Sequence, residues 1–365
     1  MVDVKTILTT AIGQSASDVH INVGLPPILR KNTDLIDMDF PIISNEHAKE
    51  MVLAMLGPDR FKKFEMLRDA DFSTTLDDGH RFRVNAHYQK GTIAIAFRLI
   101  PNRIPNLDDL HLAPIVKELT DLPRGLVLVT GHTGAGKSTT LASMLGVINA
   151  KYRKHIITLE DPIEYALQNR MSIIEQREIG FDCPSFGSAL KRVLRQDPDI
   201  IMVGEMRDLE TCRSTVTAAE TGHLVFSTLH TINAAQTIER IIDIYPASQQ
   251  NQIRTMLANT LQAVVSQTLF RRIDKPGMVP CTEILLCTSA VRNCIRENRI
   301  YEIANVIETS RKFGMQTMDY SIADAYFKGF IARDEAIARS SNPAKMEKVL
   351  KPDGAAKQTV TSILE

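Results

Sequence analysis

The sequence predicts an α/β protein: a parallel sheet covered by helices on both faces, preceded by a smaller α/β unit. Three observations carry this. Continuous apolar runs, "GLVLVT", "HIITLED", "DIIMVGE" and "HLVFSTLH", alternate with helical stretches beyond residue 115. That is the pattern of strands buried on both sides. A glycine-rich loop stands between the first of these runs and a helix. A joint with three prolines in fourteen residues, "PNRIPNLDDLHLAP", separates this part from the first hundred residues. The expected division is a domain over 1–100, a linker over 101–114 and a larger domain over 115–365.

In the first hundred residues, an opening helical stretch leads to "VHINVG", Pro26-Pro27 and "ILRK". Residues 45–68 read as a helix, with Met51, Val52, Met55 and Leu56 at helical spacing. Strand signals follow: "DFSTTL", a turn at "DDGH", "RFRVNAHY", a turn at "QKG", and "TIAIAFRLI". The last two strands form a hairpin if Lys90-Gly91 is its two-residue loop. Phe82 then opposes Leu99, Val84 opposes Phe97, Ala86 opposes Ile95 and Tyr88 opposes Ile93. One face is wholly apolar, which fixes the register. The other face sets Arg83 directly opposite Arg98. Like charges so placed repel, and a nearby anion would offset the repulsion.

In the larger part, Gly131, His132, Thr133, Gly134, Ala135, Gly136, Lys137 and Ser138 fit the pattern GxxxxGK[ST], followed by Thr139. Glycines let the backbone curl so that successive N–H groups face phosphate oxygens. The next helix adds its positive end. Lys137 is placed to reach the β- and γ-phosphates, and the Ser138 hydroxyl to ligate Mg²⁺. A chain of this length contains the pattern by chance roughly once in a hundred cases. A buried strand before it and a helix after it supply the required context.

Further strands end in acids. "ITLEDPIEY" closes an apolar run with Glu160 and Asp161, and "DIIMVGEMRD" closes another with Gly204-Glu205. Ligands of open parallel sheets sit beyond the carboxyl ends of the strands. Glu160 is therefore placed to orient a water opposite the γ-phosphate, and Glu205 to hold the Mg²⁺ shell or polarise that water. "AETGHLVFSTLHT" puts His223 and His230 at opposite ends of one strand, about 23 Å apart. They cannot share a metal. His230, at the carboxyl end, is the better candidate for sensing the γ-phosphate; a capping role is the ordinary alternative for His223. "SFGSALKRVLRQ" is a helix with Phe186, Leu190, Val193 and Leu194 on one face. Residues 246–340 read as mainly helical. The last fifteen or so residues, with Pro352 and Gly354, read as a loose tail.

Composition sets limits. Lys+Arg and Asp+Glu are both 43, and Trp is absent. This argues against nucleic acid as a partner, since neither bulk charge nor stacking residues favour it. Five cysteines without a CxxC pair read as reduced thiols. No signal peptide and no apolar run of about 18 residues is found, so direct membrane insertion is not expected. The chain reads as cytoplasmic, and any membrane role as acting through a partner.

These residues resemble the secretion-superfamily ATPases, and within them the PilT-like motors of type IV pilus retraction. The resemblance runs from "SDVHINVGLPP" to "GMQTMDYSIADAYFKGFI". It rests on the phosphate loop, "ITLEDPIEY" as an Asp box, "LRQDPDIIMVGEMRD" as a Walker B strand and "AETGHLVFSTLHT" as a His box. "AVRNCIREN" is similar to the AIRNLIRE stretch of retraction motors, and the family's small-domain arginines match Arg83 and Arg98. His132 stands where a proline is common, and Cys294 where that stretch has leucine. The resemblance implies a PAS-like N-terminal domain, a RecA-like ATPase domain and a homohexameric ring. It also implies a cytoplasmic ATP- and Mg²⁺-dependent motor docked on the inner-membrane pilus platform protein, removing pilin from the fibre to drive twitching motility.

Alternatives within this reading are a pilus-assembly or type II secretion ATPase, or a low-turnover accessory ring subunit. Assembly ATPases usually carry paired CxxC motifs, which "SQTLFRRIDKPGMVPCTEILLC" lacks. Retained Glu160, Glu205, Arg83 and Arg98 argue against an inert subunit. A nucleic-acid translocase on the same core is disfavoured by the charge balance. The expected mechanism is hydrolysis by positioning and charge neutralisation. The small domain closes over ATP and reopens after cleavage, hinged near residues 101–114.

Overall fold

The computed structural model describes residues 2–31, 34–100 and 103–350. The tail read at the carboxyl end, and Pro101 and Asn102 of the joint, lie outside these residues. The chain divides into two compact units. The first comprises Met1–Arg103 with Asp161–Ala166 and Glu178–Asp182; the second comprises the remainder.

The first unit contains α1 (Val4–Gly13), β1 (Asp18–Asn22), β2 (Ile28–Lys31), β3 (Asp34–Asp37), α2 (Asn45–Leu67), β4 (Asp69–Thr75), β5 (Arg81–Gln89) and β6 (Thr92–Ile100). The six strands form an antiparallel sheet in the order β3-β2-β1-β6-β5-β4. Ser44 caps α2 by accepting from His47 N–H. The helix breaks at Gly57 (φ 73°, ψ 168°), because Pro58 clashes with a helical residue before it. Ile7, Leu8 and Ala11 of α1 and Val52, Phe61 and Phe64 of α2 pack in one core. Val19, Ile21, Phe72, Phe82, Val84, Ile95 and Phe97 from one sheet face complete it.

The hairpin register read from the sequence holds at every pair: Phe82 opposes Leu99, Val84 opposes Phe97, and Arg83 opposes Arg98. Lys90 (φ 48°) and Gly91 (φ 80°) both take the left-handed conformation, as a two-residue turn that matches strand twist requires.

The second unit begins with α3 (Ile115–Glu118), β7 (Gly125–Thr130), α4 (Lys137–Lys151), β8 (His155–Glu160), β9 (Ile173–Glu178, its last residue counted with the first unit), α5 (Phe186–Val193), β10 (Ile200–Val203) and α6 (Leu209–Glu220). It continues with β11 (Leu224–Leu229), α7 (Ala234–Asp243), α8 (Gln250–Thr260), β12 (Leu261–Arg271), β13 (Met278–Leu286), α9 (Ser289–Arg296), α10 (Ile303–Thr309), α11 (Met318–Phe327), α12 (Arg333–Ala338) and α13 (Pro343–Val349). The sheet order is β13-β12-β7-β11-β10-β8-β9. Strands β12, β7, β11, β10 and β8 run parallel, and β13 is an antiparallel edge. Every residue of β7, β10 and β11 is buried. α4 packs on β7, α5 on β8, and α6 on β7 and β11.

The mainly helical reading of residues 246–340 is corrected here, because β12 and β13 fall inside it. β12 is buried along most of its length, so it lacks an alternating pattern. It also follows α8 without a break, Thr260 ending one and Leu261 starting the other. No glycine or proline marks the change. In β13, Pro280 speaks against a strand, yet β13 is the sheet edge, where proline is tolerated.

Candidate nucleotide site

The loop from Gly131 to Gly136 joins the carboxyl end of β7 to the first residue of α4. Its shape depends on residues without a side chain. At Gly131 (φ 144°) an added Cβ would lie 2.3 Å from the Gln267 carbonyl oxygen. At Gly136 (φ 85°) it would lie 2.8 Å from Gln267 Nε2. Gln267, on β12, holds the loop from the neighbouring strand. Its Nε2 donates to Ala135 O at 2.6 Å, and its Oε1 accepts from Thr140 Oγ1 at 2.9 Å. Sequence reasoning missed Gln267, because the strand carrying it was read as helix. Lys137 Nζ donates to the carbonyls of Gly131 (2.8 Å) and His132 (3.1 Å), so it lies across the loop. Thr133 and Gly134 form the loop's outer turn, and Ser138 and Thr139 follow Lys137 in the first turn of α4, which carries no acidic residue. A curled backbone with cradles that a Cβ would fill, ahead of a 15-residue helix, fits a phosphate chain.

The other candidates line up along the same sheet edge. Moving from β7, His230 follows β11, Glu205 follows β10 by two residues, and Glu160 ends β8. Three strand spacings put Glu160 roughly 14 Å across from the end of β7. His230 Nε2 lies 3.0 Å from Glu205 Oε1, and Arg207 Nη2 lies 2.8 Å from Glu205 Oε2. Burial alone would raise the Glu205 pKa. The hydrogen bond from Arg207 and the charges of His230 and Arg207 outweigh it and hold the carboxyl below the usual range. Glu160 is 8% exposed and accepts from Thr158 Oγ1 at 2.6 Å and Gln176 Nε2 at 3.0 Å. It is a fixed acceptor at the edge of the row.

Among the second unit's candidates, His223 alone is not brought to this edge. It precedes β11, at the amino end. Its Nδ1 lies 2.9 Å from Ala218 O and 3.2 Å from Thr221 Oγ1, tying the end of α6 to the strand. These contacts support the capping alternative for His223.

Arg83 and Arg98 project from the sheet face opposite the first unit's core. The anion that offsets their repulsion is already in the sheet. Asp18 on β1 pairs in register with Arg98, and Arg98 Nε donates to Asp18 Oδ1 at 2.9 Å. Burial would raise the Asp18 carboxyl, but hydrogen bonds from Arg98 and Ser17 hold it below the usual range. Arg83 is exposed and has no ion pair among the described residues.

A family model described as type II/IV secretion system protein matches residues 94–336, two thirds of the chain. The chain belongs to the type II/IV secretion system proteins. Over 341 residues it is 42% identical to the type IV pilus retraction ATPase PilT of Pseudomonas aeruginosa, covering 93% of this chain and 99% of that protein. It is 43% identical to a twitching motility protein of Neisseria gonorrhoeae, covering 94% and 92%. A crystal structure of the pilus retraction motor PilT with bound ADP superposes with a TM-score of 0.87 at 41% identity, covering 95% of this chain and all of that one. This secretion-system protein is an ATPase with an N-terminal domain and a RecA-like ATPase domain.

Two further features of this family member lie apart from the loop. In α9, Arg292 donates to the carbonyls of Ala258 and Asn259 and to Gln262 Oε1, closing the carboxyl end of α8. Val291 and Ile295 are buried, whereas Arg296 is exposed. The five cysteines are all buried and none is in a disulfide, and burial pushes the thiols of Cys212, Cys281 and Cys287 up to about 12. Such thiols are inert. No helix among the described residues is long and apolar enough to cross a membrane.

Proposed function

We infer that this ATPase drives type IV pilus retraction, converting ATP hydrolysis into removal of pilin from the fibre and hence twitching motility. The observation that carries hydrolysis is the row at the strand ends: phosphate loop, His230, Glu205, Glu160. The end-to-end likeness to retraction ATPases carries the pilus assignment.

The proposed roles follow from charge and position. The loop amides and Lys137 bind the phosphates and offset negative charge on the transferring phosphoryl. Ser138 and Glu205 would hold Mg²⁺, whose charge adds to that of Lys137 when bound. Glu160 orients the attacking water, and His230, held by Glu205, senses the γ-phosphate. Arg83 and Arg98 supply further positive charge when the first unit closes over ATP, with the joint near residues 101–114 as hinge. The working particle is a cytoplasmic homohexamer that meets the inner membrane through the pilus platform protein.

A Lys137→Ala variant tests this at two levels. Its ATP turnover should fall at least 100-fold, and cells relying on it should keep long surface pili that no longer shorten. Loss of pili altogether would favour an assembly ATPase. Unchanged turnover would refute the nucleotide site.

A further inference from the structure

The segment between β8 and α5 crosses between the units four times. Glu160 is the last residue of the second unit before Asp161–Ala166 joins the first, and Gln176 lies two residues before Glu178–Asp182 does the same. The candidate water-positioning residue and the side chain that donates to it thus both sit at crossing points. On the far side of both crossings, one buried carboxylate binds the two segments to the first unit's sheet.

Glu178 is 3% exposed. Its Oε2 accepts from Arg81 Nη2 at 2.7 Å, Ser73 Oγ at 2.8 Å and Ile163 N at 3.2 Å. Its Oε1 accepts from Ser73 N at 3.2 Å. Ser73 is on β4 and Arg81 on β5, while Ile163 lies three residues after Glu160. One side chain therefore joins two strands of the first unit's sheet to both returning segments. Phe181 anchors the second segment. It packs on the first unit's core beside Phe72, with the Arg60 guanidinium 3.5 Å from its ring centroid. Glu178 N donates to Asp182 Oδ2 at 2.8 Å and closes the turn between them.

A buried carboxylate with four donors is costly to leave partly satisfied, so the arrangement resists distortion. Only Asp161 and Pro162 lie between Glu160 and Ile163, and proline fixes one of the dihedrals that could absorb a shift of the anchor.

We propose that Glu178 is a positioning residue for hydrolysis: by clamping Ile163 and its own segment to Ser73 and Arg81, it makes the placement of Glu160 and Gln176 follow the first unit. This rests on the reading that Glu160 orients the water. Glu178 touches no substrate; its effect runs through the backbone. Misplacing a reacting group by an ångström costs up to about 100-fold in rate, and a partial loosening proportionally less.

The test is steady-state ATP hydrolysis by Glu178→Gln, Arg81→Met, Ser73→Ala and Glu160→Gln, assayed on particles of the unmodified protein's mass. Glu178→Gln should lower kcat about tenfold with KM for ATP within about threefold, because binding groups are untouched. Arg81→Met should match it, and the double variant should be no slower than either single one. Ser73→Ala, which leaves the carboxylate paired with Arg81, should lower kcat about threefold and guards against a Glu178 variant that does not fold. A lower melting temperature with kcat retained in Glu178→Gln and Ser73→Ala would overturn the proposal while leaving the function intact. Unchanged kcat in Glu160→Gln would overturn both.

Discussion

The two sets of candidate residues are held in opposite ways. At the strand ends of the second unit, Glu160 and Gln267 are buried, Glu205 is half-buried, and all three are bonded from more than one side. Glu160 is 8% exposed, Glu205 is bracketed by Arg207 and His230, and Gln267 pins the phosphate loop. On the first unit the Arg98 side chain is 73% exposed, with Asp18 as its one ion-pair partner among the described residues. Arg83 has none. The buried set is organised in advance at the cost of adaptability. The exposed set keeps long cationic side chains solvated and available, which suits groups that engage only when a cap closes. Preorganised donors stabilise charge without reorganising during reaction; under the proposed closure, exposed cations would add their share only once engaged.

Substitutions should therefore cost more stability in the second unit and mainly rate in the first. The largest effect is expected at Gly131. Gly131→Ala drives a Cβ into the Gln267 carbonyl in a conformation alanine disfavours. It should cost about 2–3 kcal/mol in urea unfolding and abolish ATP binding. Gln267→Ala comes next. It strands the Ala135 carbonyl and Thr140 hydroxyl and should cost about 2 kcal/mol, with KM for ATP raised severalfold. If Gln267→Ala is silent in both assays, the loop is not held from β12.

Glu205 gives a smaller, pH-dependent signal. Its folded pKa lies below the ordinary 4.5, so the unfolded chain binds more protons between the two values. The stabilisation is complete above about 4.5 and is lost as pH falls through the lower folded value. The stability gap between the unmodified protein and Glu205→Gln should narrow over that acidic window. Asp18→Ala should have the smallest effect, about 0.5 kcal/mol, since its partner is largely solvated. A larger loss would show that the arginine face is as rigid as the strand ends.

Much of this contrast was legible in the sequence. Continuous apolar runs ending in Glu160, Glu205 and His230 announced the strands that carry them, and the register of a two-residue hairpin set Arg83 opposite Arg98. What was not legible is non-local. Asp18 reaches Arg98 through a pairing across eighty residues, and Gln267 reaches the loop from a strand that a helix-like context concealed. The returning segments 161–166 and 178–182 carry no local mark of joining the first unit, since Glu178 reads as any charged residue until Ser73 and Arg81 close around it. The two histidines differ for a related reason: the motif includes both, and only the strand's direction separates them.

The proposal at stake is that ATP bound by the phosphate loop is cleaved efficiently only when Arg83 and Arg98 are present. The most direct measurement is single-turnover ATP hydrolysis by the Arg83→Ala/Arg98→Ala protein at saturating ATP, alongside its ADP affinity. The account predicts that hydrolysis slows by about 1000-fold while ADP binding stays within a few-fold of the unmodified protein. Hydrolysis at the unmodified rate would contradict it.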